Sequence, residues 1–371
     1  MAPTHVQSLE VLALHEPYPL ILRITTQSDL LTQRPALEVS RDFSESRPDN
    51  PLVKQSVSPY VSPHKRFPMI TNALHPESAV KQRYAAAARA REPALCCAVE
   101  YDRRFLEVIP KEVIEKDYGC GDPSRYLKPG ETVLDLGSGS GKICFIAAQI
   151  VGPQGKVIGV EMTDEMLEVA RRNAPMVARQ LGFANVEFRK GRIQDLELDL
   201  ERLDERLKSR PISDAASFLA ADGLAQDLRE REPLVASDSI DVVVSNCVLN
   251  LVEPTSKRRL FEEIFRVLKK GGRAVVSDIV SDQPVPQHLQ RDPQLWSGCI
   301  SGALTEQGFL QAFAESGFHG MQILQRDESP WRTIEGIEFR SLTIAAYKGK
   351  PGPDDHATAQ ASPCRDGGAC C

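Results

Sequence analysis

Features typical of membrane proteins and nucleic-acid-binding proteins are missing from this chain of 371 residues. No apolar run approaches the roughly 20 residues that a helix needs to span a bilayer. Acidic side chains outnumber basic ones, 51 to 45, and the net charge of −6 offers no basic field to nucleic acid or to an anionic membrane. The apolar segment 12–24 is interrupted by Glu16 and Pro17, and no cationic stretch precedes it, so we expect no signal peptide. The sequence therefore predicts a cytoplasmic monomer with neither a membrane nor a nucleic acid as partner.

Zinc-finger spacing is also absent, because none of the nine cysteines stands in a C-x-x-C pair. In a chain without a secretory leader, thiols that take part in chemistry explain so many cysteines better than structural disulfides do. Two adjacent pairs, Cys96-Cys97 and Cys370-Cys371, are unusual for a cytosolic protein. The cysteines are therefore the first candidates for a functional site.

The segment 131–161, ETVLDLGSGSGKICFIAAQIVGPQGKVIGVE, has the pattern of one half of a nucleotide-binding fold. A β-branched apolar run ends in Gly137, Gly139 and Gly141, a helical pattern follows, and a second strand ends at Glu161. The glycines permit a tight turn and close approach of the backbone to a ligand. Glu161 stands 20 residues past the last glycine (161 − 141 = 20), where a carboxylate can accept both ribose hydroxyls.

The spacing G-x-G-x-G differs from the G-x-G-x-x-G of pyrophosphate binders, and the acid Asp135 stands just before it. An acid at this place opposes a phosphate at the N-terminus of the following helix. It favours a nucleoside that carries a cation, and S-adenosylmethionine (SAM) has a ribose, an ammonium and a sulfonium. The alternative is a strand-helix unit whose glycines serve packing alone.

Seven strands alternate with helices along the chain. They are predicted at 132–136, 156–160, 185–190, 240–245, 273–278, 321–325 and 339–347. An amphipathic helix over 257–269 is expected to end at Gly271-Gly272. The pattern predicts an α/β, Rossmann-like fold with a seven-stranded sheet, the form of a class I SAM-dependent methyltransferase.

Three segments stand apart from this alternation. Residues 1–75 are rich in proline and serine and are expected to form a poorly ordered N-terminal extension. The methyltransferase domain is expected to occupy 76–350, with a helical insertion at 196–233, which is too long for an ordinary connection. Residues 351–371 are expected to form a flexible tail that contains cysteines.

Three cysteines stand in segments that can reach the carboxyl ends of the strands. Cys247 follows the fourth strand, Cys120 precedes the first, and Cys299 lies in the loop after the fifth. Ligands of open α/β sheets bind at this edge. A buried apolar thiol is the more common explanation for any of the three taken singly, and we assign Cys144, on the apolar face of the first helix of the domain, to that class.

Three thiolates around one point would select a soft, thiophilic centre. Zinc would require a fourth ligand and a closed tetrahedron. Trivalent arsenic is pyramidal, binds three sulfur atoms and keeps a lone pair, which could attack a sulfonium methyl in line without a general base. Such a reaction would explain why the sequence shows no obvious His/Asp catalytic pair.

The chain resembles the arsenite S-adenosylmethionine methyltransferase family in the segments YGCGDP, VLDLGSGSGKIC, SNCVLNLV, LKKGGRAVVSDI and LWSGCISGAL. The segments CCAVEYD, YGCGDPSRY and WSGCISGAL are most similar to the branch associated with arsenosugar synthesis. The resemblance covers residues 80–350. It implies stepwise methylation of trivalent arsenic, as in arsenic detoxification, with thioredoxin or glutathione regenerating the thiols.

The functional residues of the family fall on definite positions of this sequence. Its three arsenic-binding cysteines fall on Cys120, Cys247 and Cys299. Its N-terminal cysteine, which the resemblance implies to form a disulfide with the first of these during turnover, falls on Cys96 or Cys97. The residues expected to bind SAM are Asp135, Gly137, Gly139, Gly141, Glu161, Met162, Arg192, Ile193 and Asn246.

Three features depart from the pattern of the family. Lys142-Ile143-Cys144 stands where many members have Arg-Asp-Cys, so a contact made by that Asp is in doubt here. The insertion at 196–233 could reshape the rim of the substrate site. The Cys-Cys end of the tail resembles cysteine-rich tails of some members, and it either passes arsenic to the site or is disordered.

Two other functions stay open at this point. A class I methyltransferase that acts on an organic acceptor such as a quinone or a lipid would not need the cysteines, so Cys→Ser changes at 120, 247 and 299 would leave transfer intact. A metalloid-binding or sensing protein that responds to SAM would bind trivalent arsenic tightly and form no methylated product.

Overall fold

The computed structural model describes residues 76–92, 95 and 99–349, which belong to one compact unit. Within these ranges no helix is long and apolar enough to cross a bilayer. The expected extension at 1–75 and the expected tail at 351–371 lie outside the described residues. The same is true of the adjacent cysteines Cys96, Cys97, Cys370 and Cys371.

A mixed sheet forms the centre of the described unit. Its strands are β1 (Thr132–Leu136), β2 (Lys156–Glu161), β3 (Val186–Lys190), β4 (Ile240–Asn246), β5 (Leu268–Ser281), β6 (Leu304–Thr305), β7 (Phe318–Arg326), β8 (Arg332–Ile334) and β9 (Ile337–Lys348). The order along the sheet is β3-β2-β1-β4-β5-β9-β7, in which β3 to β5 are parallel and β9 is antiparallel to both neighbours. The predicted α/β, Rossmann-like class is confirmed.

Helices pack on both faces of this sheet. They are α1 (Pro76–Arg89), α2 (Arg103–Leu106), α3 (Lys111–Glu115), α4 (Lys142–Val151), α5 (Asp164–Leu181), α6 (Leu200–Lys208), α7 (Ala215–Arg231), α8 (Pro254–Val267), α9 (Gln287–Gln290), α10 (Pro293–Ser297) and α11 (Glu306–Glu315). The segment 196–233 contains α6 and α7. Buried Asp195 accepts hydrogen bonds from Arg229 of α7 (3.0 Å) and Arg259 of α8 (2.7 Å), which ties α7 to the helical layer.

The sheet differs from the expectation in two respects. It has nine strands rather than seven, because β6 pairs with β5 and β8 pairs with β9. Strands of two and three residues are too short to show the alternation on which a prediction rests. In addition, α8 ends at Val267 instead of Lys269, because Leu268 already pairs with Ile240 of β4.

Two apolar cores lie on opposite faces of the sheet, since successive strand residues point to opposite sides. Val133 packs in the core that contains α4 and α5, and Leu134 packs in the core that contains α8 and α11. The second core includes edge-to-face rings from Phe261, Phe309 and Phe313. The parallel strands bring the carboxyl ends of β1, β4 and β5 to one edge of the sheet.

Candidate active site

A cleft opens at the carboxyl ends of β1, β2 and β4 and contains about 1050 Å³ of atom-free space, including its open mouth. The glycine turn after β1 lines this cleft. Gly137 and Gly139 have φ angles of 67° and 52°, in the left-handed region that favours glycine. A Cβ on Gly137 would lie 2.7 Å from a methyl carbon of Val248. The turn therefore presents bare backbone to an occupant of the cleft.

The carboxylate of Glu161 joins this turn to the start of α5. Its Oε1 accepts hydrogen bonds from the N–H groups of Met162 (2.9 Å) and Thr163 (2.7 Å), and its Oε2 accepts one from Gly139 (3.1 Å). Burial raises the pKa of Glu161, while these N–H donors act in the opposite direction. Each carboxylate oxygen has two lone pairs, so Oε2 keeps capacity for a hydroxyl donor in the cleft.

Asp135, near the end of β1, is a second buried acid in the wall of the cleft. Burial raises its pKa to about 7, and a hydrogen bond from Cys144 partly offsets this rise. The Cys144 thiol donates to Oδ2 of Asp135 at 3.2 Å. Cys144 is fully buried in the core, as expected, but this contact gives the thiol a polar partner that the sequence did not indicate.

The structure divides the residues expected to bind SAM into two groups. Gly141 is the N-cap of α4, and a Cβ on it would lie 2.7 Å from the ring of Phe188, so this glycine serves helix-sheet packing. Arg192 turns to α1, where its Nε lies 2.8 Å from Oε1 of Glu77. The residues of the set that line the cleft are Asp135, Gly137, Gly139, Glu161, Met162, Ile193 and Asn246.

Tyr84 of α1 also lines the cleft, although no pattern in the sequence indicates this. Its ring packs edge-on against Tyr118, with 6.1 Å between ring centroids, and its hydroxyl lies near the thiol of Cys299. Burial raises the pKa of Tyr84, and the neighbouring thiols add to this effect. Arg83 fastens α1 to α10 by donating to the carbonyl of Gln294 at 2.9 Å. The alanine-rich pattern predicts α1 as a helix but carries no information on where it packs.

The structure brings together the three cysteines that the sequence places in separate segments. Cys120, Cys247 and Cys299 are buried in one cluster, and Cys247 also lines the cleft. The sulfur atoms of Cys120 and Cys247 lie within 4.8 Å of each other. The thiol of Cys299 donates to the carbonyl oxygen of Cys247 at 2.9 Å. We refer to these three side chains as the thiol centre.

Their surroundings keep protons on two thiols of the thiol centre, those of Cys120 and Cys247. The neighbouring thiols of Cys120 and Cys299 raise the pKa of Cys247, and burial raises it further. Burial is the largest cause of the raised pKa of Cys120, and nearby Asp278 adds to it. The thiols of Cys120 and Cys247 are therefore protonated at neutral pH.

Two members of the thiol centre have a left-handed backbone. The φ angles are 64° at Cys247 and 63° at Cys299, a region that few residues other than glycine adopt. The Cys247 turn is fixed by a hydrogen bond from its N–H to the carbonyl of Ser277 at 2.8 Å. Such conformations persist only where the surrounding structure imposes them, so the fold sets the direction of both side chains.

Asn246 fixes the loop that contains Cys120. Its Oδ1 accepts from the N–H groups of Cys120 (2.9 Å) and Gly121 (3.1 Å), and its Nδ2 donates to the carbonyl of Gly121 at 2.8 Å. A Cβ on Gly119 would overlap the Asn246 amide, so the loop needs glycine there. Asn246 lines the cleft, where it was expected to bind SAM, but these hydrogen bonds show that its amide also holds the Cys120 loop in place.

We expect Asn246→Ala to speed amide exchange at Cys120 and Gly121 by about tenfold or more, because at least two N–H groups lose their acceptor. Hydrogen-deuterium exchange of the peptide around these residues would measure the effect. Asn185→Ala is the matched control, since Asn185 holds backbone carbonyls at the far end of α4. Equal exchange in wild type and Asn246→Ala would contradict the prediction.

Comparison with known proteins adds independent findings. Residues 127–218 and 221–327 match the family model described as a methyltransferase domain. The chain is 40% identical over 244 residues to an arsenite methyltransferase of Halobacterium salinarum, and the match covers 64% of this chain and 51% of that protein. It is 36% identical over 250 residues to an arsenite methyltransferase of Aquipseudomonas alcaligenes, with 66% and 62% covered. The matched region thus spans about half to three fifths of the length of these relatives.

A solved structure is also similar. It is an arsenic(III) S-adenosylmethionine methyltransferase from Chlamydomonas reinhardtii, with 32% sequence identity and a TM-score of 0.52. The match covers 70% of this chain and 75% of that one.

Proposed function

Since the chain belongs to the methyltransferase domain family and, within it, to the family of the arsenite methyltransferases, we propose that it transfers methyl groups from SAM to trivalent arsenic. The observation that carries the proposal is the convergence of Cys120, Cys247 and Cys299 beside the cleft. Three sulfur ligands suit a soft, pyramidal centre. The relation to the arsenosugar branch stays a prediction.

Arsenite binds to the thiol centre by ligand exchange. Each thiol of Cys120, Cys247 and Cys299 gives its proton to one hydroxyl of As(OH)₃, so that three As–S bonds form and three water molecules leave. The raised pKa values of Cys120 and Cys247 suit this exchange, because the protons that the hydroxyls need are already on the sulfur atoms. The product is neutral and keeps the arsenic lone pair.

Methyl transfer then needs alignment rather than a base. The lone pair attacks the sulfonium methyl, an As–C bond forms, and the C–S bond breaks with its electron pair left on sulfur. Cys247 belongs both to the thiol centre and to the wall of the cleft, so it places arsenic beside the donor. Positioning of this kind can supply a large part of the rate enhancement of a bimolecular transfer.

The cleft has the features that SAM requires. We propose that Glu161 accepts the ribose hydroxyls and that the turn at Gly137 and Gly139 lies against the nucleoside, where side chains would obstruct it. Asp135 is placed to attract the cationic part of the molecule. Met162 and Ile193 add apolar lining to the cleft.

Glu161→Gln is expected to weaken SAM binding by about tenfold to a hundredfold, because an amide replaces an oxygen that accepts hydrogen bonds in the cleft. Isothermal titration calorimetry measures this change. Glu168→Gln, at an exposed position of α5, is the matched control and should bind SAM as wild type does. An unchanged affinity of Glu161→Gln for SAM would contradict the proposal that Glu161 accepts the ribose hydroxyls.

Each transfer converts trivalent to pentavalent arsenic, so a two-electron reductant must act before a second methylation. We propose that the thiol of Cys96 or Cys97 attacks the sulfur of Cys120 and releases its proton. A disulfide forms, and the As–S bond to Cys120 breaks with its electron pair left on arsenic, which returns to the trivalent state. Thioredoxin or glutathione then reduces the disulfide. A reaction that consumes reduced thiols belongs in a reducing compartment, which supports a cytoplasmic location. We propose that a monomer suffices, since one chain supplies both the cleft and the thiol centre.

The test uses the purified full-length chain with SAM, arsenite and a thiol reductant, and the arsenic species are separated by chromatography. Methylated arsenic should form only when all three reactants are present, and Cys120→Ser should lower its formation by about a hundredfold. Tight arsenic binding without product would instead indicate a sensor. Undiminished formation of methylated arsenic by Cys120→Ser would contradict a substrate held by three thiolates. Methyl transfer from SAM to an added quinone or lipid, undiminished in Cys120→Ser and without an arsenic product, would favour an organic acceptor.

A further inference from the structure

A buried carboxylate lies next to the thiol centre and has no part in the reaction described so far. Asp278, in β5, is fully buried, and one of its oxygens lies within 4.8 Å of the sulfur atoms of both Cys120 and Cys247. Burying an acid costs free energy unless its hydrogen-bonding capacity is used. The position of Asp278 therefore calls for a physical reason.

Four N–H groups hold this carboxylate. Oδ1 accepts from the N–H of Ile279 and from Nδ2 of Asn250, both at 2.8 Å, and Oδ2 accepts from the N–H groups of Leu249 (2.9 Å) and Asn250 (3.3 Å). These donors occupy the acceptor sites of both oxygens, so Asp278 is not a free ligand for an ion. They also favour the charged form over the neutral acid.

One partly buried cation faces Asp278 from α8. The ammonium of Lys257 donates to the carbonyl of Leu249 at 2.9 Å, and burial lowers its pKa to about 8. Burial raises the pKa of Asp278 to about 6, so the carboxylate is still ionised at neutral pH. Lys257 lines a separate groove beside Gly302. The negative charge of Asp278 thus lies within 4.8 Å of the sulfur atoms of two of the thiols. The ammonium of Lys257 is held at the carbonyl of Leu249.

The proposed reaction moves a positive charge towards this carboxylate. When the arsenic lone pair forms the As–C bond and the C–S bond breaks, the donor sulfonium becomes a neutral thioether. The arsenic, neutral with three thiolates before the step, becomes a methylarsonium cation. No proton moves in the step, and the two electrons of the new bond come from arsenic.

We propose that Asp278 is the counter-charge for this step: it stabilises positive charge more strongly as that charge reaches arsenic than while it is on the donor. An interaction that is stronger in the transition state than in the ground state raises the rate of the chemical step. Fixed charges in water-excluded sites are effective in this way because they need no reorganisation during the reaction. The inference rests on the proposed function and assigns a residue to its transition state.

The first test measures, without arsenic, how strongly the charge of Asp278 stabilises a cation at the donor site. Sinefungin carries an ammonium where SAM has its methylated sulfonium, whereas S-adenosylhomocysteine has a neutral thioether there. Calorimetry at about pH 7.5 gives the affinity of both ligands for wild type, Asp278→Asn and Asp278→Ser. The serine variant is included because its small side chain leaves room for a water molecule that can accept hydrogen bonds from the backbone N–H groups. We expect both neutral variants to lower the preference for sinefungin by about tenfold.

Asn250→Ala is the matched control. It removes side-chain hydrogen bonds to Asp278, to the carbonyl of Ile279 and to the carbonyl of Cys299, but keeps the carboxylate. Loosening of the turn should weaken the binding of both ligands to the same extent and leave the preference for sinefungin unchanged. The proposal is overturned if both neutral variants keep the wild-type preference, if Asn250→Ala loses it equally, or if neither neutral variant binds S-adenosylhomocysteine.

A second measurement separates this inference from the proposed function. In single-turnover assays at saturating arsenite and SAM, Asp278→Asn should transfer the methyl group about tenfold or more slowly than wild type. If wild type forms no methylated arsenic, the proposed function fails and the counter-charge for transfer to arsenic fails with it, while a lowered sinefungin preference would still assign to Asp278 the stabilisation of a cation at the donor site. If wild type forms it and Asp278→Asn is equally fast, the counter-charge is overturned and the proposed function stands.

Discussion

Replacing Cys247 by serine should lower the rate of the first methylation of arsenite by at least about a hundredfold, the largest effect on activity that we expect. Cys247 is the middle member of the thiol centre, because its sulfur lies within 4.8 Å of that of Cys120 and its carbonyl oxygen accepts a hydrogen bond from the thiol of Cys299. It is also the member that lines the cleft. A hydroxyl is a hard ligand with little affinity for arsenic, so the variant would hold the metalloid by two sulfur atoms and without a fixed direction.

The control for Cys247→Ser is its affinity for S-adenosylhomocysteine, which should stay within about threefold of wild type because the glycine turn and Glu161 are untouched. Cys247→Ala should resemble Cys247→Ser, since oxygen does not replace sulfur in this role. Rates are read from the chromatographic assay of methylated arsenic. Product formation at the wild-type rate by either variant would refute a thiolate-held substrate.

Gly302→Ala is expected to cause the largest loss of stability among the single changes considered, about 3 kcal/mol or more. A Cβ at this position would overlap the backbone oxygen of Asn250, and a backbone atom cannot turn aside as the end of a side chain can. The disturbance should also reach the thiol centre, because Nδ2 of Asn250 donates to the carbonyl of Cys299 at 3.3 Å. Chemical and thermal denaturation measure the loss.

Gly223→Ala provides the matched control for this substitution. Gly223 lies within α7, and a Cβ there would meet nothing within 4 Å. Alanine is favoured over glycine inside a helix by about 1 kcal/mol, so this variant should be more stable than wild type. Similar stability of Gly302→Ala and wild type would show that the turn at Asn250 can move without cost.

The parts of the fold that the sequence predicts are those with a local signal. The run 132–136 is apolar and β-branched, and it forms β1 with the predicted bounds. The short strands β6 and β8 have no such signal, because pairing with β5 and β9 holds them in place. Likewise, Leu268 joins β5 because Ile240 lies beside it, although the local pattern continues the helix.

The same division applies to the candidate site. Positions at strand ends direct attention to Asp135, Glu161 and Cys247, since the carboxyl edge of a parallel sheet follows from the topology alone. The contact between Tyr84 and Cys299 depends on how α1 packs against α10, which no local pattern records. The four hydrogen bonds that hold Asp278 depend in the same way on tertiary packing.

The left-handed backbone at Cys247 and Cys299 has a consequence for how the site gains its affinity. At two of the three cysteine positions the backbone is already fixed when the chain folds, before any ligand arrives. In the proposed reaction, capture of arsenic therefore involves little further loss of backbone conformational entropy, so more of the free energy of As–S bonding appears as affinity. We expect such a site to compete well for arsenite against small flexible thiols, which must be ordered one by one around the metalloid.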